Sequence, residues 1–188
     1  ASGVLISASI GLVVGIATGS LPLFRAGISP LVTGMSLVPP LAILPILFII
    51  FGLGELAKVM LIIIGITPFL IRDLQQRAEE IPTEQIIKMQ TLGANTWQIM
   101  TRLVLPRIMP RLLSSVRLSL GSAWLFLIAA EAIAATEGLG YRIFLVRRYL
   151  AMGVILPYVA WITFLAFALD FALKRYSQWR YPWFHGAQ

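Results

Sequence analysis

The chain has 188 residues, 59% of them hydrophobic and 12% charged, with a mean hydropathy of +0.88. Globular domains carry about 25% charged residues, so this is no soluble domain; apolar residues gathered in long blocks describe an all-α polytopic membrane protein. The net charge of +7 sits in residues that flank those blocks, an orientation signal and not a nucleic-acid stripe. The absence of cysteine excludes disulfides, thiol catalysis and thiolate metal sites. The one histidine, His185, lies in the tail with no ligand set around it.

Apolar sequence begins at once, with no basic signal-peptide start, so the chain is expected to begin partway into a longer protein. The first predicted span covers residues 1–19 and carries Gly11, Gly15 and Gly19 at small-xxx-small spacing. That spacing lets membrane helices approach closely, although glycine is frequent in membrane helices in any case. Residues 21–34 read as a polar-leaning connection with Pro22, Arg25 and Pro30. A second span, 35–53, contains Pro39, Pro40 and Pro45, which break or kink a helix and leave carbonyls free. Pro40 and Pro45 are therefore candidates for a water-filled path. The third span, 56–71, has Lys58 near one end, placed to snorkel.

The interval from 72 to 111 is the only long polar stretch, and it is punctuated as two short helices bent about a glycine. Glu84 to Leu92 forms the first, with Thr83 as a candidate cap. Gly93 sits where a left-handed terminating residue is cheapest. Asn95 or Thr96 caps the second, in which Trp97, Met100, Leu103 and Val104 recur at helical spacing and Pro106 is expected to end the helix. Such a hairpin with one apolar face either docks on a partner or lies on lipid headgroups. Arg102, Arg107 and Arg111 can meet an acidic partner or lipid phosphates.

A fourth span, 116–135, places Ser119, Ser122 and Glu131 in apolar surroundings. Glu131 reads as a wall or gate of a pathway, or as a helix-terminal carboxylate paired to a neighbour; the serines line a path or bond back to their own helix. The last span, 151–173, ends in Asp170 and Lys174, an i,i+4 pair, then in Trp179, Tyr181 and Trp183, an interfacial aromatic group. Five alternating crossings put Arg25, the seven basic residues of 72–117 and the three of the tail on one side. Lys58 and the three arginines 142, 147 and 148 lie on the other. The richer side is expected to be cytoplasmic, with the hairpin and C-terminus inside and Ala1 outside; the arginines at 142–148 are the exception to that bias.

Gly93, nine residues, then Leu103-Val104-Leu105-Pro106 resembles the cytoplasmic "EAA" loop of ABC-importer permeases, written EAA-xxx-G-x(9)-I-x-L-P. The departure is Ile87-Lys88-Met89 in place of Glu-Ala-Ala. The likeness extends through Pro40-Leu41-Ala42-Ile43-Leu44-Pro45, Phe51-Gly52-Leu53-Gly54-Glu55, Val116-Arg117-Leu118-Ser119-Leu120, Ala123-Trp124, Ala130-Glu131 and Gly138-Leu139-Gly140-Tyr141. In order, these resemble the nitrate/taurine-type permeases over roughly residues 35–145. The resemblance implies one transmembrane permease domain over 1–188 with a type I importer (MetI-like) fold. That family usually has six helices, so the first would be absent here.

It further implies a homodimer of permeases moving a small anion or small organic molecule by alternating access in the bacterial inner membrane. Two cytoplasmic ATPase subunits and an extracytoplasmic solute-binding protein would complete it. The coupling residues would be Gly93, Ala94, Asn95, Thr96, Trp97, Met100, Leu105 and Pro106. The chain has no phosphate loop of the Gly-x4-Gly-Lys-Ser/Thr kind, so ATP and magnesium would belong to the partner and no cofactor to this chain. A channel or ion-driven transporter is the alternative, compatible with the broken second span. An embedded enzyme has no catalytic set to draw on, since the spans offer only Glu131 and Asp170 as acids.

Overall fold

A computed structural model describes residues 2–134, 138–147 and 152–185. Ala1, Ala135, Arg148, Ala151 and the side chain of His185 lie outside the described residues. All the regular structure among them is helical, in ten α-helices joined at one point by a π-turn.

The frame is a pair of parallel helices, α1 (Ser2–Ser20) and α4 (Glu55–Glu79). They run in constant register: Gly3 lies on Ile62, Gly11 on Leu70, Gly15 on Leu74 and Gly19 on Ala78. A methyl group at Gly11 or Gly15 would stand 2.8 Å from the Cβ of its leucine. The small residues are thus the contact surface of α1, which decides between the two readings of their spacing. With no side chain on one partner, the backbones close to a separation where dispersion contacts replace a hydrophobic driving force that lipid does not supply. Leu61, Leu70 and Leu74 of α4 are fully buried. This helix also packs on α2, α3 and α7, so it is the hub of the bundle. It continues past the predicted end of its span, because Leu74 and Ala78 still face the glycines of α1.

Between these two helices the chain returns through α2 (Pro22–Leu37) and α3 (Pro40–Phe51), bent by 92°. Residues 21–34, expected as a connection, are helical apart from Leu21. The break falls at Val38 and Pro39, both extended. A residue preceding proline is sterically pushed out of the α region, and the consecutive prolines Pro39 and Pro40 place two such constraints together. Pro30 and Pro45 are carried inside helices without a break. Arg25 anchors α2: its guanidinium donates to the carbonyls of Gly19 (2.9 Å) and Thr18 (3.3 Å) and meets Glu79 at 3.2 Å. It thereby caps α1 and ties that end to α4.

The second half begins with α5 (Thr83–Thr91) and α6 (Thr96–Ile99), then a π-turn over Met100–Val104 and α7 (Leu105–Ala134). Pro106 does not end the helix, contrary to its predicted role. The chain widens one turn before it, with the Leu105 N–H reaching the Met100 carbonyl five residues back. A π-turn next to proline relieves the clash between the ring and the preceding turn, and helix is recovered beyond. The result is an unbroken 38-residue rod from Thr96 to Ile133, about 57 Å long at 1.5 Å per residue. Gly65 of α4 receives the ring of Phe126 from this rod. Then follow α8 (Leu139–Arg147), α9 (Met152–Arg180) and the short α10 (Pro182–His185).

Length and composition mark three of these helices, α1, the rod and α9, as able to cross a membrane, or four units if α2 and α3 form one broken span. The remaining predicted crossing, the third, is α4, long enough at 25 residues but with its uncharged run, 59–71, bracketed by Lys58 and Arg72. Helix α9 joins the bundle through Arg117 of α7, whose Nε and Nη2 each donate to Asp170 at 2.8 Å. Asp170 therefore reaches across helices in a two-pronged pair and does not close locally on Lys174. The planar guanidinium fork matches a carboxylate edge to edge, which a lysine cannot do.

Candidate functional site

The hairpin between α5 and the rod is built by local rules. Helix α5 starts at Thr83 itself, with Pro82 at the cap position and no side-chain cap, so Thr83 does not serve as one. At the far end the Gly93 N–H donates to the Gln90 carbonyl (2.9 Å) and the Ala94 N–H to Met89 (3.0 Å), closing the helix. Gly93 has φ +80°, the left-handed region, and a methyl group there would meet nothing within 4 Å. Glycine is required by backbone conformation, not by crowding. Asn95 then caps α6: its Oδ1 accepts from the Gln98 N–H at 2.8 Å while Gln98 Oε1 accepts from the Asn95 N–H at 3.0 Å. This reciprocal box selects Asn95 over Thr96 as the cap.

The hairpin has two faces. Ala94, Met100 and Leu105 are partly buried against the core, together with Met89 and Leu103, while Ile99 and Val104 are buried in it. Outward stand Ile87, Leu92 and Trp97, the last 73% exposed. The predicted apolar face of Trp97, Met100, Leu103 and Val104 is therefore not uniformly exposed. It starts exposed at Trp97 and sinks to Val104, only 4% exposed, as the rod enters the bundle. Thr96 and Pro106 are exposed on either side of that descent. The outward edge is made instead by Trp97 with Leu92 and Ile87, which the helical period of the second helix alone did not reveal because two of them belong to α5 and its end. A rigid rod carrying an exposed apolar tip can receive a push at one end and deliver it to the packed helices at the other.

The residues predicted for a pathway are not brought together. Pro40 borders a cavity of ≈530 Å³ with Ser36, Pro68, Arg72, Asp73 and Phe126, whereas Pro45 lies on an exposed face of α3. Ser119 is buried and its hydroxyl donates to the Val116 carbonyl (2.8 Å), bonding back to its own helix. Ser122 is exposed on α7.

Glu131 is a paired, helix-terminal carboxylate. Its Oε2 accepts from the Gly140 N–H at 2.8 Å, and its Oε1 stands 3.9 Å from Lys58 Nζ. Gly138 and Gly140 make room for it, since a methyl group on either would collide with the Glu131 side chain. Lys58 does not snorkel outward: its side chain is 8% exposed and bridges Glu131 to Glu55, 2.6 Å away. Burial of the cation is sustained because both carboxylates flank it. The spacing Glu55-x-x-Lys58 was the sequence signal for half of this cluster. At the opposite end of α4, Asp73 accepts from Ser115 of α7 and meets Arg77 at 3.7 Å, a cross-helix link that no local spacing announces.

The family model described as "binding-protein-dependent transport system inner membrane component" matches residues 9–182. The taurine transport system permease protein TauC of Escherichia coli (strain K12) is 36% identical over 176 residues, covering 94% of this chain and 64% of that protein. The chain thus spans less than two thirds of that relative's length. The putative aliphatic sulfonates transport permease protein SsuC of Bacillus subtilis (strain 168) is 31% identical over 79% of this chain and 54% of its own. Among solved structures, an inward-facing form of the MetNI methionine ABC transporter superposes with a TM-score of 0.74 at 22% identity, covering 94% of this chain and 90% of that one. That likeness is one of fold.

Proposed function

The chain belongs to the binding-protein-dependent transport system inner membrane components, and on that premise we propose that it is the membrane permease of an ATP-driven importer. In this reading the hairpin is the handle on which a separate cytoplasmic ATPase pulls. The observation that carries it is the hairpin's construction: Gly93 in the left-handed region, Asn95 locking the next turn, and Trp97 exposed at the tip of a 38-residue rod. An apolar tip on a helix end is the kind of knob that fills a groove on a partner. Gly93 to Thr96 set its angle, Trp97 makes the contact, and Met100, Leu105 and Pro106 join it to the bundle.

Two copies of the chain would line one path, exposing it alternately to each side, with an extracytoplasmic binding protein delivering the solute. The names of similar proteins, a taurine and an aliphatic sulfonate permease, favour a small organic anion. The distribution of lysine and arginine favours a cytoplasmic hairpin and C-terminus.

Reconstitution with the cognate ATPase and binding protein tests this. Gly93→Val puts a β-branched residue into a conformation that costs it about 1–3 kcal/mol. The expected result is a folded complex whose ATP hydrolysis no longer drives uptake. Uptake that persists without the ATPase, or that collapses with an ionophore while ATP stays high, would sink the proposal.

A further inference from the structure

Where α4 ends, four segments (α4, its link to α5, α7 and α10) close around a cavity of ≈490 Å³ at the base of the hairpin. It is bordered by Arg77 of α4, Glu80 in the link that follows it, Arg107 and Arg111 of α7, and Trp183 and Phe184 of α10. The volume lies within the range of small-ligand pockets. Its charge is unbalanced, with three guanidiniums facing one carboxylate. Arg77 is partly neutralised, since its Nη1 lies 3.2 Å from Glu80 and its Nε 3.7 Å from Asp73. Among the described residues, neither Arg107 nor Arg111 has a carboxylate partner. Arg111 instead lies 4.8 Å over the ring of Phe184. Stacking holds a guanidinium in place from its face while leaving its in-plane N–H donors unused.

The depth of the cavity is set by its neighbours. Gly19, near the end of the apolar helix α1, packs on Ala78, next to Arg77. Helix α9, another candidate span, ends at Arg180 just before Tyr181 and Trp183, whose rings meet edge to face at 5.4 Å. Two apolar helices therefore stop at this level, and aromatics beside arginines collect there, as they do at a membrane–water boundary.

We propose that this cavity is a binding site for a phosphate group, held by Arg107 and Arg111 as paired donors with Trp183 against its organic substituent. Arginine forks match phosphate oxygens as well as carboxylates. A phosphodiester of an anionic lipid headgroup and a free phosphate share this chemistry. The cavity does not depend on the transport reading, because binding can be measured on the chain alone.

The test uses the purified full chain in neutral detergent at fixed ionic strength, followed by thermal unfolding and native mass spectrometry. The probes are short-chain phosphatidylglycerol, short-chain phosphatidylcholine and inorganic phosphate. Saturable binding of phosphatidylglycerol but not of phosphatidylcholine or inorganic phosphate assigns a lipid headgroup; saturable binding of inorganic phosphate alone assigns the free anion. In both cases the double change Arg107→Gln and Arg111→Gln should weaken binding at least tenfold, since each removes charge-assisted bonds. Trp183→Ala should weaken the lipid and spare inorganic phosphate. Unchanged binding after the double substitution overturns the proposal, and so does equal binding of both lipids. Loss of ATPase assembly in that variant with phosphate and lipid binding intact would overturn it too, reassigning the arginines to a protein partner. If the double variant fails to fold, Arg107→Lys is the second measure: loss of the fork should still cost affinity, and full retention counts against the site.

Discussion

Replacing Gly15 with alanine adds one methyl group to the seam that organises the bundle. That Cβ would stand 2.8 Å from Leu74 Cβ and 3.2 Å from the Ile71 carbonyl oxygen. Carbon atoms rest at about 3.5–4.0 Å, so α1 and α4 must part by roughly the shortfall, close to 1 Å. Neither side has slack. Leu74 is fully buried, and Gly11 and Gly19 hold the same close approach one turn away on either side. Overpacking of this kind costs about 1–3 kcal/mol. Alanine also gains up to about 1 kcal/mol over glycine in helix propensity, which opposes the loss.

Gly27→Ala isolates the two terms. Gly27 lies in α2, exposed, with nothing within 4 Å of its added methyl, so it receives the propensity gain without the clash. Thermal unfolding followed by circular dichroism in one detergent should place Gly15→Ala below Gly27→Ala by about 1–3 kcal/mol, at roughly 2–4 °C per kcal/mol for a chain of this size. If Gly15→Ala melts at or above Gly27→Ala, α1 and α4 are not packed through this seam and the frame described above is wrong.

Asn95→Ala removes the acceptor of the Gln98 N–H and half of the capping box, a loss of about 1 kcal/mol. Because α6 is a single turn, faster hydrogen exchange confined to residues 96–99 is expected, with little change in the overall melting point; uniform protection would show that the box does not hold the turn. For the buried cluster on α4 and α7, Lys58→Met and Glu131→Leu should each destabilise the fold, and the double variant should lose less than their sum. The coupling expected of charged neighbours is about 0.5–3 kcal/mol, and a coupling of zero would mean that Glu131 acts through Gly140 alone.

What could be read along the chain was whatever is decided within a few residues. Gly93 and Asn95 were legible because a positive φ and a capping hydrogen bond involve neighbours no more than four positions away. The apolar blocks were legible for a similar reason, since each must satisfy its own backbone in lipid. Pro106 misled: its local effect is real, but a π-turn absorbed it and the rod continued. The double proline at 39–40 broke the helix while Pro45 did not, a difference that depends on two consecutive constraints.

The choice among partners belonged to the tertiary structure. Asp170 has Lys174 four residues away and Arg117 fifty-three away, yet it takes the arginine, because packing of α7 on α9 presents both prongs of the guanidinium at 2.8 Å. The partners of Glu131, the Gly140 N–H and the side chain of Lys58, likewise come from outside its own helix. The glycines of α1 become a contact surface only through the constant register with α4. Local sequence settles a cap or a left-handed turn, since a segment's own backbone and nearest side chains supply those interactions. Which segment lies against it is a property of distant residues brought within a few ångströms, and only the packed bundle does that.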